Sequence, residues 1–314
     1  MKRIIEVSTP GTHVALRHGA LTIGRNSQIV GQVPIEDLGV LILASNALSC
    51  SSALLSALAA SGATVVVTGA DHQPEGVLLP LRAHSTRGER IRAQTGASVP
   101  LQKRIWANLI RAKIRGQAAL LRSGAGRRRL ARLEASVRSG DADNAEAQAA
   151  RTYWPLVFLD VDQMPVAEPF RRRRDGEWPN NLLNYGYAVL RAIVARAICG
   201  AGLLPEIGVH HHNRYDAFAL ASDLMEPFRP WVDHRCRELI PEGPGDLDRT
   251  SKEALLGIYD DPVLLGGEKT PLFAAVEHTA TSLAAVFLAS RDGERIEKAT
   301  GRLLLPAFAA LDES

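Results

Sequence analysis

The spacing of apolar residues changes once along this 314-residue chain, and that change is the strongest constraint on its fold. In the first 80 or so residues, β-branched runs such as Val40-Leu41-Ile42-Leu43 and Thr64-Val65-Val66-Val67-Thr68 are separated by turn residues, which is typical of strands. From about Leu101 onward the apolar residues recur at helical spacing, as in Ile105, Leu109, Ile110 and Ile114. We therefore expect an α+β protein, in which a small N-terminal β-rich domain precedes a larger all-helical domain.

Turn and capping residues locate individual elements. A hairpin is expected between His13 and Ile23, turning at His18-Gly19, and a helix from Ser51 to Ala60, capped by Ser51 or Ser52. Ser123-Gly124-Ala125-Gly126 predicts a flexible break. Further helices are expected over residues 144–154, 180–199, 218–226, 230–239, 251–256, 272–291 and 294–305. The length predicts two cores, which we assign to residues 1–85 and 86–314.

Composition excludes several classes of protein. Hydrophobic residues make up 46% and charged residues 23% of the chain, a composition typical of globular rather than disordered proteins. Cys50, Cys199 and Cys236 are too few and too scattered for a disulfide framework or a zinc cluster. The longest apolar stretch, residues 39–67, is interrupted by polar residues, and no long apolar run follows the basic N-terminal residues. We expect a soluble cytoplasmic protein with no membrane-spanning segment.

Basic residues are concentrated in one segment although the net charge is only +3. Between Lys103 and Arg138 there are eleven basic residues and one acid, Glu134, and Arg171 to Arg174 form a second cluster. Such clusters favour nucleic-acid binding through phosphate contacts, although an isolated charge run can also be a solvated helix face. The residues assigned to DNA are Arg111, Lys113, Arg115, Arg127, Arg128, Arg129, Arg172 and Arg173.

Candidate metal ligands lie in three places in the helical part. Glu146 lies in a helix of small residues, and His210-His211-His212 follows Gly208-Val209. Asp223 and Glu226 are three residues apart, so on one helix they would share a face. Each feature has an ordinary structural explanation when taken singly. Together, one imidazole and two or three carboxylates would suit magnesium or manganese better than a closed zinc site.

Specific strings of the sequence then occur in a recognisable order. The most distinctive are NAEAQAARTYW at 144–154, GLLPEIGVHH at 202–211 and DLMEPFRP at 223–230. They are accompanied by strings at 34–41, 53–59, 113–118 and 184–187, and by Trp106. Over residues 34–230 this order resembles the Cas1 family, the CRISPR-associated endonuclease and integrase of spacer acquisition.

The resemblance implies a ligand set. The metal-binding glutamate of the family falls on Glu146, and its histidine, three residues after Gly208, falls on His211. The last acid falls on Glu226, and Asp223 is a possible additional acid. The neighbouring His210 or His212 could take the histidine's role instead. The implied cofactor is Mg²⁺ or Mn²⁺. It would be held by the helical catalytic domain, which follows the β-rich N-terminal domain.

The resemblance also implies a reaction and partners. A DNA 3′-hydroxyl would attack a phosphodiester, so that a short double-stranded spacer is inserted into a CRISPR repeat array. The chain would form a homodimer through its β-rich domain and bind a dimer of a small ferredoxin-like CRISPR-associated partner. The string His210–Tyr215 resembles members from type II systems. Two alternatives stay open: a non-catalytic basic DNA-binding scaffold, and an unrelated zinc hydrolase that uses the three histidines.

Overall fold

The fold is seen in a computed structural model that describes residues 3–69, 74–80, 86–159, 170–173, 176–240 and 247–308. Its strands are β1 (Arg3–Val7), β2 (His13–Arg17), β3 (Ala20–Arg25), β4 (Gln28–Pro34), β5 (Leu38–Leu43), β6 (Ser49–Cys50), β7 (Thr64–Thr68), β8 (Pro74–Leu78), β9 (Pro262–Leu265), β10 (Glu268–Pro271) and β11 (Pro306–Ala307). Its α-helices are α1 (Ser52–Ala60), α2 (Arg87–Thr95), α3 (Val99–Leu120), α4 (Gly124–Ser136), α5 (Ala145–Val157), α6 (Asn180–Gly200), α7 (Ala219–Leu224), α8 (Arg229–Leu239), α9 (Arg249–Leu256), α10 (Leu272–Arg291) and α11 (Ile296–Thr300).

Two four-stranded sheets form the N-terminal region. In the first sheet, with the order β1-β5-β7-β8, the three strands β1, β5 and β7 are parallel and β8 is antiparallel to β7. The second sheet has the order β4-β3-β2-β6, and its β2–β3 hairpin turns at His18 and Gly19, as the sequence predicts. Ser51 caps α1 by accepting a hydrogen bond from the Leu54 backbone N–H.

The central strand β5 is buried on both faces, because each face contributes to a different core. Leu41 and Leu43 pack with α1 and the second sheet, whereas Val40 and Ile42 belong to the core of the helical region. Side chains that alternate along a strand point to opposite faces, which explains this division. The first sheet therefore couples the β-rich region to the helices. The expected boundary at residue 85 falls in 81–85, outside the described residues, and stays a prediction.

The helical region differs from the sequence-based expectation in several places, of which three concern its general architecture. It contains a small sheet, β10-β9-β11, so this region is largely rather than entirely helical. The expected break at 123–126 is the start of α4, where the Ser123 side chain caps the helix and Gly126 packs beside Leu156. The last expected helix, 294–305, is limited to α11, and the chain then leads into β11.

Helices α6 and α10 are long and apolar enough to pass a test for membrane spans by length and composition. In the structure, 83% of the most apolar window of α6 is buried, and so is 56% of that of α10. The two helices pack against each other. Their apolar character is accounted for by their place in the core.

Close packing of α6 against α8 gives a test of this core. A Cβ added at Gly186 would lie 2.5 Å from Cγ1 of Val232, a buried β-branched side chain with little freedom to move. We expect Gly186→Ala to lower the free energy of unfolding by about 1–3 kcal/mol, despite the better helix propensity of alanine.

Gly200 is the matched control, because it lies on the same helix with no heavy atom within 4 Å of an added Cβ. Gly200→Ala should change the stability little in the same urea denaturation series. Equal stability of the two variants would contradict the tight α6–α8 contact.

Candidate active site

Four segments that are distant in sequence bring the site together. Helix α3 contributes Lys113, and α5 contributes Glu146 in its first turn. A 3-10 turn over residues 226–228 begins with Glu226, and the loop that precedes α7 carries His211. Tertiary packing, rather than sequence proximity, creates this site.

The start of α5 is held by side-chain caps, which orient Glu146. Asn144 accepts a hydrogen bond from the backbone N–H of Ala147, as an N-cap residue does. The carboxylate of Asp141 accepts from the N–H groups of Ala145 at 2.8 Å and Glu146 at 3.1 Å. These bonds satisfy N–H groups of the first turn that have no partner inside the helix.

The buried ammonium of Lys113 joins the two predicted glutamates. Its Nζ lies 2.6 Å from Oε1 of Glu146 and 2.6 Å from Oε2 of Glu226. Burial lowers the pKa of this ammonium, but Glu226 and Glu146 outweigh burial and raise it above its usual value. The two carboxylates therefore face one common point, and a cationic group lies there.

Arg229 holds the other oxygen of Glu226. Its Nε donates to Oε1 of Glu226 at 2.8 Å, and its guanidinium lies 4.6 Å from the ring centroid of Tyr187. Burial raises the pKa of the Glu226 carboxyl, but Arg229 and Lys113 together bring it well below its usual value. Glu226 is thus an ionised carboxylate in a buried position.

Asp223 and Glu226 do not share one helix face, contrary to expectation. Helix α7 ends at Leu224, before the 3-10 turn that contains Glu226 and Pro227. A proline disfavours helical geometry in the residue before it, so the helix ends early. As a result Asp223 faces the histidine loop, whereas Glu226 faces Lys113.

The carboxylate of Asp223 organises the histidine loop. It accepts from the backbone N–H groups of Val209, His210 and His211, and it bonds Nδ1 of the His211 ring at 2.5 Å. Gly208 permits this approach, because an added Cβ would lie 2.4 Å from the carbonyl oxygen of His211. With Nδ1 engaged, the Nε2 atom of His211 is the ring nitrogen left for a ligand.

The three histidines have different surroundings. The His210 ring stacks on Trp106, with centroids 4.0 Å apart and planes within 1° of parallel. The His211 ring is perpendicular to the His210 ring, and His212 is exposed. Burial lowers the pKa of His210, whereas the hydrogen bond that the His211 ring donates to Asp223 raises the pKa of His211 despite partial burial. The rings therefore do not converge as a three-histidine zinc site would require.

The side chains of Glu146, Glu226 and His211 have the chemistry to bind a divalent ion, but their present positions do not form a ligating group. Two carboxylates that face one point, with an imidazole oriented by a carboxylate, are suitable ligands for Mg²⁺ or Mn²⁺. Within the described part of the chain, however, no group of three or more His, Cys, Asp or Glu side chains is already in a ligating arrangement. Instead, the ammonium of Lys113 lies between Glu146 and Glu226.

The residues predicted to bind DNA fall into two sets. Lys113 lies inside the site, and the guanidinium groups of Arg111 and Arg172 are partly buried and bonded to neighbouring protein groups. The exposed set comprises Arg115, Arg127, Arg128, Arg129 and Arg173. Arg115 is paired with Glu134 at 2.6 Å. Arg174, from the second cluster, lies outside the described residues.

Arg229 and Trp106 were not predicted as parts of the site, and Lys113 was predicted only as a DNA-binding residue. Position 113 lies four residues after Leu109 and one before Ile114, on the apolar side of α3, and this position distinguishes it from the exposed bases. Arg229 lies three residues after Glu226, a spacing at which opposite charges can pair. No comparable pattern links Trp106 to His210.

The fold and the site together define an α+β protein with a carboxylate and imidazole centre, and comparisons with known proteins give its family. A profile of the family described as "CRISPR associated protein Cas1" matches residues 5–256. The "CRISPR-associated endonuclease Cas1" of Neisseria meningitidis serogroup C (strain 8013) is 32% identical over 278 residues, with 85% of this chain and 88% of that relative covered. The chain belongs to the Cas1 family.

Solved structures share the fold at low sequence identity. The chain of a structure described as "Casposase bound to integration product" has a TM-score of 0.75 at 19% identity, with 94% of this chain and 93% of that chain covered. A chain of a "Cas6-RT-Cas1--Cas2 complex" has a TM-score of 0.74 at 16% identity, with 96% of this chain and 36% of that chain covered. They support the β-rich region followed by a largely helical one.

The pKa values of the two neighbouring histidines should be shifted in opposite directions from the ordinary value of 6.5, that of His210 downward and that of His211 upward. In the metal-free protein, we expect His211 to keep its proton to higher pH than His210, as measured by two-dimensional NMR of the imidazole rings. Because its pKa is raised in the folded state, His211 stabilises the fold at low pH, and this contribution is lost as the pH rises through the folded pKa. The reverse order of titration would contradict the Asp223–His211 hydrogen bond.

Proposed function

We propose that this chain is a divalent-metal-dependent DNA endonuclease and integrase that inserts short DNA spacers into a CRISPR repeat array. The observation that carries the proposal is the approach of Glu146 and Glu226, from separate elements, to one cationic group, beside a histidine oriented by Asp223. Membership of the Cas1 family supports the CRISPR context, and the casposase neighbour supports integration.

Glu146, His211 and Glu226 would hold Mg²⁺ or Mn²⁺, which would polarise the scissile phosphate and stabilise charge on an attacking or leaving oxygen. Arg229 holds Glu226 in one orientation, and Asp223 does the same for His211. Asp223 is thereby a positioning residue rather than an additional ligand. These contacts reduce the rotamer freedom that the site would lose on assembly.

In the proposed reaction, the oxygen of a DNA 3′-hydroxyl forms a bond to phosphorus at the end of a repeat. The bond from that phosphorus to the neighbouring 3′-oxygen breaks, and the leaving oxygen takes up a proton while the attacking hydroxyl loses one. One phosphodiester replaces another. Water in place of the 3′-hydroxyl would give strand cleavage.

The proposed partners are double-stranded spacer and repeat DNA, a second copy of this chain, and a dimer of a small ferredoxin-like CRISPR-associated protein. The described neighbours bound to an integration product and in a complex with Cas2 support this assembly. We further infer cytoplasmic action in a type II system, on the resemblance of residues 210–215. A non-catalytic scaffold would require only the basic residues and would not account for the buried carboxylate of Glu226.

Removing a ligand should abolish chemistry while DNA binding persists. We expect Glu146→Gln and His211→Ala to reduce Mn²⁺-dependent strand transfer of a 3′-hydroxyl duplex into repeat DNA by about 100-fold or more, because the ion would lose its position. Chelation should do the same to the native protein.

Glu297→Gln is the matched control, because Glu297 is exposed on α11. It should keep native activity, and all variants should bind duplex DNA in a filter or anisotropy assay. Native strand transfer by either ligand variant, or in excess chelator, would exclude the metal mechanism. Duplex binding by the native protein without any strand transfer in Mn²⁺ would instead favour the scaffold.

The exposed arginines of α4 provide a separate test of DNA binding. Substitution of Arg127, Arg128 and Arg129 by glutamate should weaken duplex binding. It should also reduce the steepness with which the logarithm of the association constant falls with the logarithm of the salt concentration, by up to about 3 in all, or about 0.9 for each lost phosphate contact. The binding assay is repeated from low to physiological salt, with the melting temperature as a check on folding. An unchanged slope would mean that these side chains are only solvated.

A further inference from the structure

The position of Lys113 is unusual for a basic residue in a DNA-binding protein. Its side chain is only 11% exposed, and its ammonium lies between two carboxylates rather than on the surface that would meet a duplex. Long charged side chains are rarely buried unless they are paired. The pairing here involves the same two glutamates that are proposed to hold the divalent ion.

The contacts of Glu226 show that the ammonium binds the ligand atom itself. Oε1 of Glu226 is engaged by Arg229, so Oε2 is the oxygen that remains to face an ion, and Oε2 is the atom 2.6 Å from Lys113. On Glu146, Oε1 lies 2.6 Å from the same nitrogen. An ion that bound both oxygens would lie close to the present position of Nζ.

Two cations cannot occupy this position together. A divalent ion held at ligand distance by both oxygens would be within a few ångströms of the ammonium, and the repulsion in a buried site would be large. The lysine stem has four flexible carbons, so the ammonium can move without a change in the helix. Glu146, whose side chain is 30% exposed, marks the open side of the site.

We propose that Lys113 is a resident cation of the metal-free site, which holds Glu146 and Glu226 together and withdraws when the divalent ion binds. This inference rests on the proposed metal site. Lys113 is then a positioning residue with two opposite effects. It stabilises the carboxylates without metal, and it competes with the metal for them.

The direct test is the affinity of the metal alone. Mn²⁺ binding is measured by calorimetry on the native protein, Lys113→Met and Lys103→Met, with Glu146→Gln to identify the isotherm of this site. Lys103 is the matched control, because it is exposed on the same helix and loses the same ammonium group. We expect Lys113→Met to bind Mn²⁺ about tenfold tighter or more, since no ammonium has to be displaced, and Lys103→Met to match the native protein.

The second measurement is thermal stability in excess chelator. Lys113→Met should melt at a lower temperature than the native protein, because Glu146 and Glu226 then repel each other without a shared cation. Added Mn²⁺ should raise its melting temperature by more than it raises that of the native protein. A purely structural lysine would lower stability with and without metal and leave the affinity unchanged.

A third measurement needs no variant. An amine-acetylating reagent is applied to the native protein in chelator and in Mn²⁺, and modification is quantified by peptide mass spectrometry. Lys113 should become more reactive with Mn²⁺, while Lys103 serves as the internal reference. Equal Mn²⁺ affinity of native and Lys113→Met proteins, or unchanged Lys113 reactivity, overturns this inference and leaves the metal site intact. Absence of Mn²⁺ binding in both proteins overturns the inference and the proposed function together.

Discussion

The ionised carboxylate of Glu226, buried between Lys113 and Arg229, is the interaction on which the rest of the site depends. Removing a charge from water is costly, and loss of one partner from such a buried pair typically costs about 3–5 kcal/mol. The helix that carries Lys113 and the helix that begins at Arg229 must therefore pack in one relative position. Glu146 joins the same ammonium, so α5 is subject to the same constraint.

A second buried hydrogen-bond network joins α5, α6 and α8. The carboxylate of Asp233, on α8, accepts hydrogen bonds from the hydroxyls of Tyr153 and Tyr187, which lie on α5 and α6. Burial raises the pKa of Asp233 to about 6, although both tyrosines oppose the shift. Since Arg229 lies over the ring of Tyr187, the network extends to the partner of Glu226. The positions of Glu146 and Glu226 are thus determined through the core as well as through their own contacts.

The change in the spacing of apolar residues, from that of strands to that of helices, predicted the architecture because apolar spacing reflects which face of each element is buried. Helix α10, for example, begins and ends where its apolar spacing does, at residues 272 and 291. Strands β9 and β10 were not predicted, since each is four residues long and becomes a strand through pairing. In the site, resemblance supplied Glu146, His211 and Glu226, whose assignment as ligands remains a proposal. The surroundings of Lys113 could not be predicted from a count of charged residues, because such a count does not distinguish a buried lysine from an exposed one.

The charges around Glu226 also bear on how a metal-loaded site would receive DNA. Glu146 and Glu226 are balanced by Lys113 and Arg229, so these four side chains sum to zero without metal. If a divalent ion replaced the ammonium between the carboxylates, the same position would gain one positive charge. The withdrawn ammonium would add another nearby. These four side chains, which sum to zero in the metal-free protein, would then carry net positive charge together with the ion. That charge would attract a phosphodiester to the metal-loaded site without a change of fold, while duplex binding as a whole would still depend on the exposed basic residues.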